Sequence, residues 1–176
     1  MRLFVALDLP ASIIEALRMI ELPPAHGLSL VRPDQMHITL HFIGAADIDE
    51  VRNALASVCC KPCRVSVRGV GSFRIPARGS ILWAGVDAIE ELLALHQACA
   101  SALGAIGIRI ERRRYTPHVT IARLRSPADE LSVNAFLQSG QERDFGSFVA
   151  RQFVLYDSVT LHDGARYERI ESYALS

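Results

Sequence analysis

The sequence predicts a mixed helix-and-strand chain built as two similar lobes, and three observations carry that prediction. The pattern His-apolar-Thr-apolar occurs twice, as His37-Ile38-Thr39-Leu40 and as His118-Val119-Thr120-Ile121, 81 residues apart. The order strand, helix, strand, helix, strand is legible in the first half and starts again in the second. Matching landmarks keep a steady offset, with Asp8 to Asp87 and Asp47 to Ser126 both 79 residues. Two units are too few for a solenoid. The offset therefore reads as internal duplication: one domain over residues 1–176, with lobes at about 1–75 and 79–176 related by a pseudo-twofold. The C-terminal strands complete one sheet or the other.

Residues 2–8 read as a first strand, ended by Asp8-Leu9-Pro10. Ser12 to about Leu22 has helical spacing through Ile13, Ile14, Leu17 and Ile20, and Pro23-Pro24 stops it. Residues 25–36 are loop or a short edge strand, and Arg32-Pro33-Asp34-Gln35 turns the chain into a strand from His37 to Ile43, closed by Gly44. Asp47 with Glu50 is a capping-box-like start for a helix through Val51, Leu55 and Val58. Arg64 to Val70 alternates as a strand that could extend to Phe73.

In the second half, Ile81 to Val86 is a strand, and Asp87 with Glu90 marks a helix reaching about Leu103. Ile108 to Ile110 reads as a short strand. Arg112-Arg113-Arg114 then leads into the second histidine strand. Ser126-Pro127 supplies an N-cap and first-turn proline for a helix through Leu131, Phe136 and Leu137, ended by Gly140. Val149–Asp157 and Arg166–Tyr173 close the chain as strands around a turn at Asp163-Gly164.

At 176 residues and 50% hydrophobic, the chain is long enough to bury its own core. It has no apolar run of about 18 residues to span a membrane, and its strand-like start is unlike a signal peptide. The expected location is the cytoplasm. Net charge is zero, so no global field draws it to nucleic acid and any such contact is local. Lys61 is the sole lysine among 19 Lys and Arg residues, which a compositional bias explains as well as a phosphate preference does. Cys60, Cys63, His96 and Cys99 reach the ligand count of a zinc site. The second pair, however, lies in an apolar helical pattern where a buried cysteine is ordinary, so no metal is expected.

A lone His-x-Thr is more often a hydrogen-bonded histidine near a core; two copies are a different matter. On a strand, alternate residues share a face, so His37 with Thr39, and His118 with Thr120, point away from the apolar side. Pseudo-twofold lobes would set these strands across a shared cleft. Two imidazoles titrating near 6.5 can divide acid and base work, each positioned transfer contributing about 10²- to 10⁴-fold. The threonines, about 6.6 Å further along, offer hydroxyls to an oxyanion between them. With no glycine-rich phosphate cradle and no carboxylate cluster at the motifs, the pattern suits metal-free phosphoryl transfer on an activated ester such as a 2',3'-cyclic phosphate.

At these residues the chain resembles the 2H phosphoesterases, and within them the RNA 2',3'-cyclic phosphodiesterases, also called the 2'-5' RNA ligase family. The resemblance runs through Arg2 to Pro10, His37 to Gly44, Pro117 to Arg123, and Leu155 to Ser158 followed by Gly164 and Tyr167. It implies a bilobal α+β fold, two antiparallel sheets around a central cleft with helices outside. It also implies opening of RNA 2',3'-cyclic phosphate ends to a 2'-phosphate without a cofactor. Carried over by position, His37 becomes the proton donor to the departing 3'-oxygen and His118 the proton acceptor that activates water; the two motifs alone do not order these roles. Thr39 and Thr120 would hold the non-bridging oxygens. Arg123 matches a phosphate-binding arginine, although five residues past His118 is the wrong parity for a regular strand, so a bulge or strand end must re-aim it.

His41 shares parity with His37 and Thr39 and is expected at the cleft rim, with an RNA contact as the alternative. Arg112 to Arg114 form either an RNA-facing patch or a solvated loop. The expected partner is RNA with a 2',3'-cyclic phosphate end or a related cyclic nucleotide, met by a monomer off the membrane. Competing readings are a phosphodiesterase of small cyclic nucleotides and a catalytically idle RNA-end binding module. Weak reverse 2'-5' ligation follows from microscopic reversibility.

Overall fold

The computed structural model describes residues 2–22, 26–111, 113–125, 130–161 and 164–176. The elements run β1 (Leu3–Asp8), α1 (Ala11–Arg18), β2 (Leu28–Leu30), a 3-10 turn (Pro33–Gln35), β3 (His37–Gly44), α2 (Ile48–Ala56) and β4 (Cys63–Ile75). They continue through β5 (Gly79–Val86), α3 (Glu90–Ala105), β6 (His118–Leu124), α4 (Glu130–Gly140), β7 (Asp144–Ala150), β8 (Gln152–Leu161) and β9 (Gly164–Ala174). The prolines 23 and 24, Arg112, Ser126-Pro127 and Asp163 lie outside the described residues.

The expected pair of sheets is not what the chain forms. Its described strands make one nine-stranded antiparallel sheet in the order β7-β4-β5-β6-β3-β1-β8-β9, with β2 on β6. The joint is a single backbone pair, Ile38 opposite Val119, between the two histidine strands. Each is held on its far side by a fuller ladder, β3 by β1 and β6 by β5, so one pair suffices to continue the sheet.

The core occupies one face of that sheet. Leu3, Val5 and Leu7 of β1, Ile38 and Leu40 of β3, Leu82 and Ala84 of β5, and Val119 and Ile121 of β6 join Ile13 and Leu17 of α1. Val51 and Leu55 of α2, Leu92, Leu95, Cys99 and Leu103 of α3, and Phe136 of α4 complete the cluster. The helix residues recur at three- and four-residue steps, one stripe per helix, and each fully buried aliphatic side chain is worth about 1.5–3 kcal/mol. Phe4, Thr39, Thr120 and both motif histidines are absent from this cluster, as strand alternation requires.

Several local expectations needed correction. The helix α1 ends at Arg18 rather than Leu22. Asp87 does not cap α3, whose N-cap is Ile89; its carboxylate instead pairs with Arg68 at 3.3 Å. Ile108 to Ile110 is not a strand. The strand expected over Val149–Asp157 is two: β7 pairs with β4, β8 pairs with β1, and the chain crosses between the two flanks of the sheet at Arg151. Strand propensity does not register such a change of partner.

Asp47 does cap α2, its side chain accepting from the backbone N–H groups of Asp49 and Glu50. Asp47→Ala is expected to cost about 1 kcal/mol, read in urea unfolding as a lower midpoint at unchanged slope.

Candidate active site

Each histidine strand is preceded by a residue, two positions before the histidine, whose carbonyl fixes the imidazole. In β3 the His37 Nδ1–H donates to the Gln35 carbonyl at 2.7 Å, and in β6 the His118 Nδ1–H donates to the Thr116 carbonyl at 2.7 Å. A carbonyl only accepts, so each neutral ring carries its proton on Nδ1 and presents Nε2 as the working atom. The Nε2 of His37 lies 3.0 Å from the Thr39 hydroxyl. The antiparallel pair Ile38–Val119 then brings the two motifs head to tail: one step along each strand carries Thr39 toward His118 and His37 toward Thr120.

The two strands also share an irregularity. Along β3, the partner of Ala6 is Thr39 and that of Val5 is His41, leaving Leu40 as an extra residue. Along β6, Trp83 faces Thr120 and Leu82 faces Ala122, leaving Ile121 extra. Each bulge turns two successive residues to the core, Leu40 with His41 and Ile121 with Ala122, all at most 6% exposed. The next residue, Phe42 or Arg123, returns to the histidine face, and both are exposed. That is how Arg123 overcomes its parity, and its charge reaches His37.

The bulge sends His41 away from the rim expected for it. It is buried at 6% exposure, its Nε2–H donating to the His96 carbonyl at 2.7 Å. His96 stacks on His41 with centroids 4.1 Å apart and on Tyr115 at 3.8 Å. The Tyr115 hydroxyl donates to the Thr39 carbonyl at 3.0 Å. These rings fill the space where β3 and β6 part beyond Ile38. Burial holds His41 below its ordinary value, and it takes His96 down to about 4, with the neighbouring His41 adding to the drop.

Aromatic rings flank each candidate histidine; Phe4 and Trp83 are expected from the sequence as core or cleft wall, whereas Phe73 is not singled out there. Phe4 lies 5.0 Å from His37, and Tyr167 meets that imidazole edge-on at 5.3 Å. Phe73 meets His118 edge-on at 4.9 Å, and Trp83 lies 5.9 Å away. Gly71 makes room for Trp83, because a Cβ there would sit 2.1 Å from the indole. On the His37 side, Asp8 is the strand partner of His37 and binds Tyr156 at 2.5 Å as well as Arg169.

Burial pushes both histidines below 6.5. For His37 the Gln35 carbonyl and the Asp8 carboxylate push back upward, while His118 and Arg123 add to the lowering. For His118 the Thr116 carbonyl pushes upward and Arg113 downward. Both imidazoles feel a nearby guanidinium, and His37 alone has a carboxylate acting against it. The cysteines lie apart from this face: Cys63 and Cys99 are in the core, where burial takes the Cys99 thiol up to about 12. Among the described residues no three His, Cys, Asp or Glu side chains gather closely enough to hold a metal ion.

Comparison with solved structures places this architecture with that of E. coli LigT. The LigT complex with 3'-AMP superposes with a TM-score of 0.81 at 25% identity, over 99% of this chain and 98% of LigT. The sequence profile of the 2'-5' RNA ligase superfamily matches residues 6–158, and the chain belongs to that superfamily. Similar curated proteins include the RNA 2',3'-cyclic phosphodiesterases of Archaeoglobus fulgidus, 29% identical over 98% of this chain and 99% of that one. The protein of the same name from Methanocaldococcus jannaschii is 27% identical over 98% and 100%.

Asp8→Asn is expected to lower the His37 pKa further, since it removes an anion that favours the imidazolium. An NMR titration of the ring protons reads this; an unmoved His37 curve would remove Asp8 from its electrostatics.

Proposed function

We propose that this chain hydrolyses 2',3'-cyclic phosphate ends of RNA to a 2'-phosphate and a free 3'-hydroxyl, using its own side chains alone. The observation that carries the reading is the pair of imidazoles on one sheet face, each pinned through Nδ1, with the Nε2 of His37 at the Thr39 hydroxyl. Membership of the superfamily and the names of the similar proteins support the substrate class. The coincident burial patterns and bulges of β3 and β6 support the pseudo-twofold duplication, with the two histidine strands lining a central cleft.

In this reading His118 is the base and His37 the acid. The Nε2 of His118 takes a proton from water, and the water oxygen attacks phosphorus in line with the 3'-oxygen. The bond from phosphorus to that oxygen breaks, and the Nε2–H of His37 gives it a proton. Asp8 favours a protonated His37 and Arg113 a neutral His118, which supports this order of roles. Thr39, Thr120 and Arg123 hold the two non-bridging oxygens as charge builds on them. All five side chains come from one chain, which supports action as a monomer. Reverse 2'-5' ligation by the same groups follows from microscopic reversibility.

Turnover of a short RNA ending in a 2',3'-cyclic phosphate, with EDTA present, tests the reading. His37→Ala and His118→Ala are each expected to lose about 10²- to 10⁴-fold in rate while remaining folded. Wild-type protein that binds such RNA ends without opening them would overturn the hydrolase in favour of a binding module. The pH profile gives a second check. Activity needs neutral His118 and protonated His37, and both titrate below 6.5. The maximum of kcat/KM is therefore expected on the acid side of pH 6.5; a maximum above pH 8 would contradict the assignment.

A further inference from the structure

The hairpin of β8 and β9 ends far from where its ladders alone would put it. In the sheet, β1 and β8 separate β9 from β3. Along those ladders His37 lies opposite Asp8 at one end of β1, Leu3 at the other end lies opposite Asp157, and Ala165 lies opposite Thr160, further out again. A flat sheet would thus hold Gln35 and Ala165 at opposite ends. In the fold they meet, the Gln35 Nε2–H donating to the Ala165 carbonyl. Two residues on, the Tyr167 ring lies 5.0 Å from Phe4 and 5.3 Å from His37, and Arg169 reaches Asp8. Strand twist has carried the hairpin back over the histidine face, and Gln35 clasps it from the turn before β3.

We propose that Gln35 is a positioning residue for His37: its side chain holds the hairpin while its backbone carbonyl holds the imidazole Nδ1–H, so that the clasp fixes which nitrogen His37 presents. The consequence for catalysis rests on the hydrolase reading above; the effect on the imidazole does not. The two histidines differ in how their carbonyl partner is steadied. His118 takes its bond from the Thr116 carbonyl, which belongs to the peptide joining Thr116 to Pro117. The Pro117 ring limits rotation of that carbonyl relative to His118, and the Pro117 carbonyl is itself tied to the Val86 N–H at 3.2 Å. Gln35 is followed by Met36, with no such ring, and the Met36 N–H makes a long bond of 3.3 Å to the Pro33 carbonyl. The side-chain amide on β9 gives the Gln35 carbonyl its firmer second anchor. A neutral imidazole released from that carbonyl can carry its proton on either nitrogen. The Nε2 that meets the Thr39 hydroxyl at 3.0 Å would then lose its fixed aim.

The test is nitrogen NMR of the imidazoles at a pH where both rings are neutral, which separates the Nδ1–H from the Nε2–H tautomer. Wild type is compared with Gln35→Met, whose side chain keeps the length and offers no donor. Wild type is expected to hold His37 and His118 on the Nδ1–H form. Gln35→Met is expected to move His37 alone to a mixture of tautomers, with His118 as the control for an intact fold. In the same variant kcat for opening a 2',3'-cyclic phosphate end is expected to fall several-fold at unchanged KM, as for a catalytic group that has lost its orientation. Gln35→Glu, of the same length and with no proton to donate at neutral pH, is expected to repeat the tautomer change. A His37 that stays on the Nδ1–H form in both variants, or a His118 that moves with it, overturns the proposal. Should wild type open no cyclic phosphate, the hydrolase reading fails, while the tautomers still decide the role of Gln35.

Discussion

The site depends on one backbone pair. Among the described residues, Ile38 and Val119 are the only ones through which β3 and β6 pair in the sheet, and both are buried in the core. Because the pairing is antiparallel, it sets each histidine diagonally against the other strand's threonine. Because it is a single pair, the strands part at once, and the rings of His41, His96 and Tyr115 pack where they do. Full pairing of β3 to β1 and of β6 to β5 keeps so narrow a joint in register.

The bulges at Leu40 and Ile121 follow from what a diverging pair must satisfy. Beyond the joint, both strands twist away, and an extra residue in each accommodates the added twist while reversing the parity of what comes after. The same device that returns Arg123 to the histidine face puts His41 into the core. A buried imidazole needs a partner, and His41 finds the His96 carbonyl. Tyr115 supplies the hydrogen bond that the Thr39 carbonyl lacks in this split.

Two chemically similar motifs meet different surroundings, which is what the proposed division of acid and base roles rests on. Both rings are fixed by the same type of bond, from Nδ1 to the carbonyl two residues earlier. The difference comes from elsewhere in the chain: β1 brings the Asp8 carboxylate beside His37, and the segment before β6 brings Arg113 within reach of His118. Asp8 is itself held by Tyr156 and Arg169 from β8 and β9. The C-terminal strands thus bear on the first histidine although more than 110 residues separate them in sequence.

The sequence by itself determined the two histidine strands, their apolar core faces and the capped start of α2, because strand alternation, helical spacing and capping are local. His37, Thr39, His118 and Thr120 are legible since each breaks an apolar strand at the same two positions. Only the tertiary structure decided that the sheet is continuous, that β7 and β8 part company at Arg151, and that residues 108–110 stay off the edge of β3. Those outcomes depend on which strand pairs with which, an energy shared between residues far apart in the chain. Parity alone put His41 and Arg123 on the wrong faces. The bulges that reverse both are set by the partner strands' register, which no stretch of this sequence records by itself.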